Sequence, residues 1–180
     1  LLQGWADDAK QGQPFFLYVP FASPHTPIVP TAPWYGQSGL NPYADFVMQT
    51  DDAIGQILGA LDELELADDT LVVFTSDNGC SPQADFAELR GLGHDPSYVF
   101  RGHKADIYEG GHRVPYIARW PAGLPAGAKC AALIGLQDTL ATCADIIGME
   151  LPDAAGVDSF SWLPRITQGN LDGPVRESLV

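Results

Sequence analysis

Apolar residues along this chain fall into two rhythms. Phe15-Phe16-Leu17-Tyr18-Val19, between Pro14 and Pro20, is a short aromatic-rich run that predicts a buried strand. From about Tyr43 to Leu66 the spacing changes. Ile54, Ile57, Leu58, Leu61 and Leu64 recur every three or four residues, with Asp51, Asp52, Asp62 and Glu63 between them, which predicts a long amphipathic helix. Asp68-Asp69 breaks that pattern, and Leu71-Val72-Val73-Phe74-Thr75 predicts a second buried strand. A strand, a helix and a strand suggest a βαβ unit, so the expected class is α/β, a mainly parallel sheet flanked by helices.

Ser76 to Lys104 has no clear period and is rich in Gly, Pro and polar residues, as long functional loops are. Val114 to Trp120 predicts a further strand, closed by Pro121. Gln137 to Ile147 predicts a short helix stopped by Gly148, and one helical turn is expected near Trp162. Pro174 to Val180 reads as the start of another strand. Leu1 opens the chain without Met, so both ends are expected to be cuts, and residues 1–168 and 169–180 are expected to belong to different regions.

Composition narrows the function. Hydrophobic residues are 46% and charged residues 18%, ordinary for a globular domain. Nine Lys and Arg against 23 Asp and Glu give a net charge of −14, which disfavours nucleic acid or an anionic membrane as partner. An anionic small substrate stays open, because a metal or local cations can reverse the field in one cleft. Cys80, Cys130 and Cys143 are too widely spread for a disulfide framework or a zinc site. No apolar run is long enough to span a membrane.

Candidate chemistry sits in three places. Asp77-Asn78 follows the second strand, at the carboxyl end where α/β sheets bind ligands, and offers hard oxygens to Ca²⁺ or Mg²⁺. Asn78-Gly79 is equally a common turn. Lys104 stands in Gly102-His103-Lys104-Ala105-Asp106-Ile107-Tyr108-Glu109-Gly110-Gly111, where it brings a cation to an anion or is simply solvated. His25, between Pro24 and Pro27, is a stiffly held donor or an idle loop residue.

Taken together, "PFFLYVPFASPHTP", "DDAIGQILGALDELELADDTLVVFTSDNG" and "RGHKADIYEGGHRVPYIARWP" resemble, in order and spacing, the later half of the sulfatase catalytic domain. "LQDTLATCADIIGMELPDAAGVDSFSWLPRITQG" resembles that family's last catalytic-domain helices. The resemblance covers nearly the whole chain, from about Pro14 to Gly169. It implies an incomplete alkaline-phosphatase-like fold and a sulfuric ester hydrolase. Asp77 and Asn78 match two metal ligands, for Ca²⁺ or else Mg²⁺. Lys104 and His25 match groups that contact the sulfate and act in catalysis. Glu109-Gly110-Gly111 and Arg113 match a structural signature in which Glu109 and Arg113 are expected to pair.

The resemblance also implies a formylglycine nucleophile made in a Cys/Ser-x-Pro-Ser-Arg signature, which these residues do not contain. Cys80-Ser81-Pro82-Gln83-Ala84 keeps only its Pro. The family's early metal-binding Asp pair is absent too, so the chain by itself is expected to be inactive. The family's late Asp-Gly stands here as Asp158-Ser159, in a region expected to be structural. Between the metal pair and Lys104, Arg90, His94 and Arg101 are candidates to bind a carboxylate or second sulfate. Tyr98 and Phe100 either stack on a sugar ring or pack the loop down. The implied partner is a sulfated small molecule or carbohydrate, and the implied location is periplasmic or extracellular. A phosphate- or phosphonate-ester hydrolase of the same superfamily, or a non-catalytic binder of sulfated glycans, are the alternatives.

Overall fold

The computed structural model describes residues 1–167 and 174–179. They form two compact units, Leu1–Ala118 and Arg119–Val180.

The first unit opens on a helix that the apolar pattern did not announce, α1 (Leu2–Lys10). A long loop with one 3₁₀ turn at Ala32–Trp34 leads to α2 (Pro42–Glu63). Asn41 caps α2 and Pro42 takes its first position, where the missing N–H costs nothing. Where the spacing predicted helix to Leu66, the chain turns at Glu65, whose φ is 56°. The Leu66 N–H then reaches back to the Leu61 carbonyl, and the Glu65 N–H to that of Asp62. This is a Schellman ending, and it folds Leu66 onto the helix it terminates. Leu61, Leu66 and Ala6 form a small buried core, with Leu2, Ala9, Phe15, Leu64, Ala67 and Val72 packed around it.

The sheet has two strands among the described residues, β1 (Val72–Thr75) and β2 (Tyr116–Arg119), hydrogen-bonded to each other. The strand expected at Phe15–Val19 is not in it. Phe15 and Leu17 are half-buried, whereas Phe16 and Tyr18 are 74% and 76% exposed. The segment therefore shows the two-residue period with one face covered, and without a ladder partner it is not a buried strand. The expected strand–helix–strand unit is thus not closed among the described residues.

The expected loop after β1 carries structure of its own: a 3₁₀ turn at Pro82–Ala84, then α3 (Phe86–Gly91). Six residues are too few for an amphipathic period to show in sequence. After a single helical turn, α4 (Glu109–His112), the chain enters β2.

The second unit holds α5 (Asp138–Ile146) and α6 (Leu163–Thr167), close to the two expected helical segments. Gly148, at φ 66°, ends α5 as predicted, with the Met149 N–H returning to the Ala144 carbonyl. Ser159 is structural. Its hydroxyl donates to the Gln137 carbonyl and accepts from the Ala141 N–H, so it caps α5 from outside the helix. Residues 174–179 form no strand. Arg176 instead turns inward to pair with Asp138, and both side chains are nearly or fully buried. The expected regional boundary near residue 168, and Val180, lie outside the described residues.

Candidate functional site

β1 delivers Ser76-Asp77-Asn78-Gly79 into a bend, where the Ser76 hydroxyl donates to the Asn78 carbonyl at 3.0 Å. Main-chain contacts decide what lies beside that bend. The Gly79 N–H donates to the Gly111 carbonyl at 2.8 Å, and a Cβ on Gly79 would overlap the Gly110 carbonyl oxygen. Gly110 and Gly111 are themselves buried. A Cβ on Gly110 would overlap the Gly102 carbonyl oxygen, and one on Gly111 that of Asp106. Three glycines are needed here so that three stretches of backbone can touch.

The same packing places Lys104. Its N–H donates to the Cys80 carbonyl at 2.8 Å, and the Gly110 N–H donates to the Arg101 carbonyl at the same distance. The loops that carry Asp77, Asn78 and Lys104 are therefore tied together by main-chain hydrogen bonds. The expected pair forms as well: Arg113 donates to Glu109 at 2.6 Å, one turn apart, while its guanidinium lies 4.9 Å from the centre of the Phe100 ring. His103 is braced beside Lys104, with Nδ1 2.9 Å from the Lys104 carbonyl and the ring edge-on to Phe86.

α2 supports this cluster through two residues that the sequence reading passed over. Asn41 is buried. Its oxygen accepts from the Ala44 N–H, while its amide donates to the Ala84 carbonyl at 2.9 Å and to Glu88 at 3.0 Å. An Asn directly before a Pro at the head of an apolar period is an N-cap signal, and it could have been found. Tyr43 receives the Cys80 thiol at 3.3 Å. Burial pushes both groups above their ordinary values, Tyr43 far above, despite the Tyr43 hydrogen bond acting the other way on Cys80. A half-buried thiol that keeps its proton is a packing residue and not a nucleophile.

His25 lies in a loop pinned to α2, where the Thr50 hydroxyl donates to Ser23 at 2.8 Å and the Thr31 N–H to Gln49 at 2.8 Å. The Ser23–Pro24 and Thr26–Pro27 peptide bonds are cis. His25 is exposed, with Nδ1 2.9 Å from the Thr26 carbonyl. Among the described residues no hydrogen bond or ion pair joins His25 to Asp77, Asn78 or Lys104.

Along the loop before Lys104, charges are largely committed. Arg90 donates to Asp95 at 2.8 Å and covers the Phe86 ring, and its hydrogen bond holds the Asp95 carboxyl below the usual carboxylate range. Arg101 stacks on Tyr108 with 3.7 Å to the ring centre. His94 is exposed, and its backbone closes α3. Tyr98 is exposed while Phe100 is half-buried under Arg113, and the two rings meet edge to face with centroids 6.2 Å apart.

Asp77 is exposed, Asn78 and Lys104 are half-buried, and no hydrogen bond among the described residues occupies their side chains. Among the described residues no three His, Cys, Asp or Glu side chains converge. The donor set is thus one carboxylate and one amide oxygen, which suits a hard cation but supplies two of the six to eight oxygens that Ca²⁺ takes. It fits as part of a site.

Comparison with known proteins follows this geometry. A family model described as Sulfatase matches residues 1–149. The N-acetylgalactosamine-6-O-sulfatase of Bacteroides thetaiotaomicron is 41% identical over 150 residues, 82% of this chain and 29% of that protein. The N-acetylgalactosamine-6-sulfatase of Sus scrofa is 36% identical over 158 residues, 88% of this chain and 29% of that protein. A structure solved in work on glycosaminoglycan metabolism by Bacteroides thetaiotaomicron superposes with a TM-score of 0.82 at 36% identity, covering 93% of this chain and 37% of its own. The chain therefore spans under a third of the length of these two curated relatives.

Proposed function

The chain belongs to the sulfatase family and carries part of its alkaline-phosphatase-like α/β fold, and from that premise we propose that the whole protein hydrolyses a sulfate ester of a carbohydrate. The observation that carries this is the hydrogen bond from Lys104 N to Cys80 O, which brings the lysine's main chain beside the loop that leaves the Asp77-Asn78 bend. 6-Sulfated N-acetylgalactosamine is the first substrate to try, on the names of the relatives.

Each residue then has a task. The Lys104 ammonium contacts a sulfate oxygen and the leaving oxygen, where charge gathers as the S–O bond breaks. His25 donates from another side. With Nδ1 donating to the Thr26 carbonyl, Nε2 donates to a sulfate or leaving-group oxygen in the imidazolium form, where both ring nitrogens carry a proton. Asp77 and Asn78 would hold a divalent cation, Ca²⁺ or else Mg²⁺, which supplies Lewis-acid polarisation of a sulfate oxygen when bound. A formylglycine outside these residues would supply the nucleophile. A periplasmic or extracellular location accompanies this reading.

The test uses the whole protein, with sulfate release measured from 4-nitrophenyl sulfate and from N-acetylgalactosamine 6-sulfate. Sulfate release from both is expected. Phosphate release from 4-nitrophenyl phosphate without sulfate release would instead assign phosphate-ester chemistry. Binding of the sulfated sugar with no turnover would assign a glycan-binding role.

A further inference from the structure

Tyr98 is 75% exposed and sits at φ 55°, a left-handed conformation that costs a bulky residue energy. Such strain persists only where the surroundings over-determine it, and it concentrates at functional positions. Here the surroundings are plain. The Tyr98 N–H donates to the Asp95 carbonyl, and the Phe100 N–H to the Ser97 carbonyl, both at 3.0 Å. Asp95 is clamped by Arg90, and its carboxylate also accepts from the Ser97 N–H at 3.1 Å. Ser97 is buried, and its hydroxyl donates to the Gly102 carbonyl at 2.9 Å, two residues before Lys104.

A rigid turn thus holds a large, mostly exposed aromatic ring, braced edge-on against Phe100, on a base bonded to the stretch of chain that carries Lys104. Burying Tyr98 would have been the ordinary use of that ring, and Phe100 shows it, covered by Arg113. An exposed, amphipathic ring of low conformational freedom suits stacking on the apolar face of a pyranose. The Ser97–Gly102 hydrogen bond ties the base of that turn to the segment that leads directly into Lys104.

We propose that Tyr98 is a sugar-stacking residue that binds the pyranose adjoining the sulfated one, so the substrate class is a sulfated oligosaccharide and not a lone monosaccharide. Arg90 and Asp95 are positioning residues for it. The inference rests on the carbohydrate-sulfatase reading for its substrate, but its binding step is measured separately.

The experiment compares the whole protein with Tyr98→Asn and Tyr98→Phe. Asn tolerates the left-handed backbone, so the first variant removes the ring without adding strain. The probes are 4-nitrophenyl sulfate and a disaccharide ending in 6-sulfated N-acetylgalactosamine, with turnover followed by sulfate release and binding by calorimetry. Tyr98→Asn is expected to weaken disaccharide binding and lower kcat/KM on it by about tenfold, the scale of one good aromatic contact, with the aryl sulfate unchanged. Tyr98→Phe is expected to retain both. Equal loss on the two substrates, or no loss on the disaccharide, overturns the inference. Tyr98-dependent binding with no sulfate released by the unaltered protein overturns the hydrolase reading and leaves the inference standing. Absence of both binding and turnover in the unaltered protein overturns the two together.

Discussion

The Lys104 N–H donates to the Cys80 carbonyl at 2.8 Å, so a lysine and the loop leaving the Asp77-Asn78 bend, far apart in sequence, share one hydrogen bond. Since the bond is between main-chain atoms, truncating either side chain leaves it in place. Side-chain substitutions here therefore report on chemistry more than on loop position.

That separation gives the first prediction. In the whole protein, Lys104→Ala should lower kcat by ~10²-fold or more, the scale of one preorganised electrostatic stabiliser, with metal content unchanged. Asp77→Ala should lower metal content and activity together, since a hard cation loses its anionic ligand. Metal analysis alongside steady-state kinetics separates the two, and an unchanged kcat in Lys104→Ala would remove it from the reaction.

The glycines give the second. Gly110→Ala places a Cβ against the Gly102 and Arg101 carbonyls, neither of which is a flexible side-chain end. Overpacking of this kind costs about 1–3 kcal/mol, and the backbone must shift to relieve it. A lowered thermal midpoint is expected together with a fall in kcat, because the displaced segment leads to Lys104. Gly55→Ala on α2, where a Cβ meets nothing within 4 Å, is the control and should not destabilise.

The third concerns Asp138 and Arg176, whose side chains are 0% and 6% exposed. Asp138 also accepts from the Gly135 N–H at 2.7 Å and the Phe160 N–H at 2.9 Å, and Arg176 reaches the Asp158 carbonyl at 2.6 Å. Removing one member strands a buried charge, so Asp138→Ala or Arg176→Ala should cost about 3–5 kcal/mol. The double variant should cost less than the sum of the two, as measured by denaturant unfolding.

The fourth is a pH effect. Asp45, buried at the head of α2, accepts from the Ser38 hydroxyl and N–H and from the Gly36 N–H. The Ser38 side-chain bond, then the backbone bonds, hold its carboxyl below the ordinary value of 3.8. A lowered folded-state pKa means that the unfolded chain takes up the proton first on acidification. The stabilisation is thus whole above pH 3.8 and is lost as pH falls from there through the folded value. Asp45→Asn should be less stable at pH 7, with the difference from the unaltered protein shrinking below pH 4 in unfolding midpoints taken across that range.

The sequence disclosed most where local physics is self-sufficient. α2 shows its period over many residues, and Gly148 marks the end of α5, because helix patterning and a left-handed cap depend on near neighbours. Phe15–Val19 misled because strand composition states a preference, whereas burial requires something to pair with and cover the exposed Phe16 and Tyr18. α3 was invisible for its shortness. Arg90 read as a free cation, since nothing in the order of residues says that Asp95 will occupy it. Asn41 and Ser159 stabilise through partners 43 and 22 residues away, which spacing cannot reveal.

Because the ends of the Cys80–His103 segment are fixed by carbonyls and amides that every sequence possesses, the stretch between them behaves as an exchangeable cassette. Its exposed positions can drift without carrying the neighbouring lysine or the Asp77-Asn78 bend along, while Phe86, Glu88 and Ser97 stay tied to the surrounding loops. Natural variation in what is recognised would then accumulate here while the reaction stays the same, and the glycines at 79, 110 and 111 would record the constraint. For an engineer, these are the residues to leave alone, and the exposed positions between 90 and 99 are the ones to exchange.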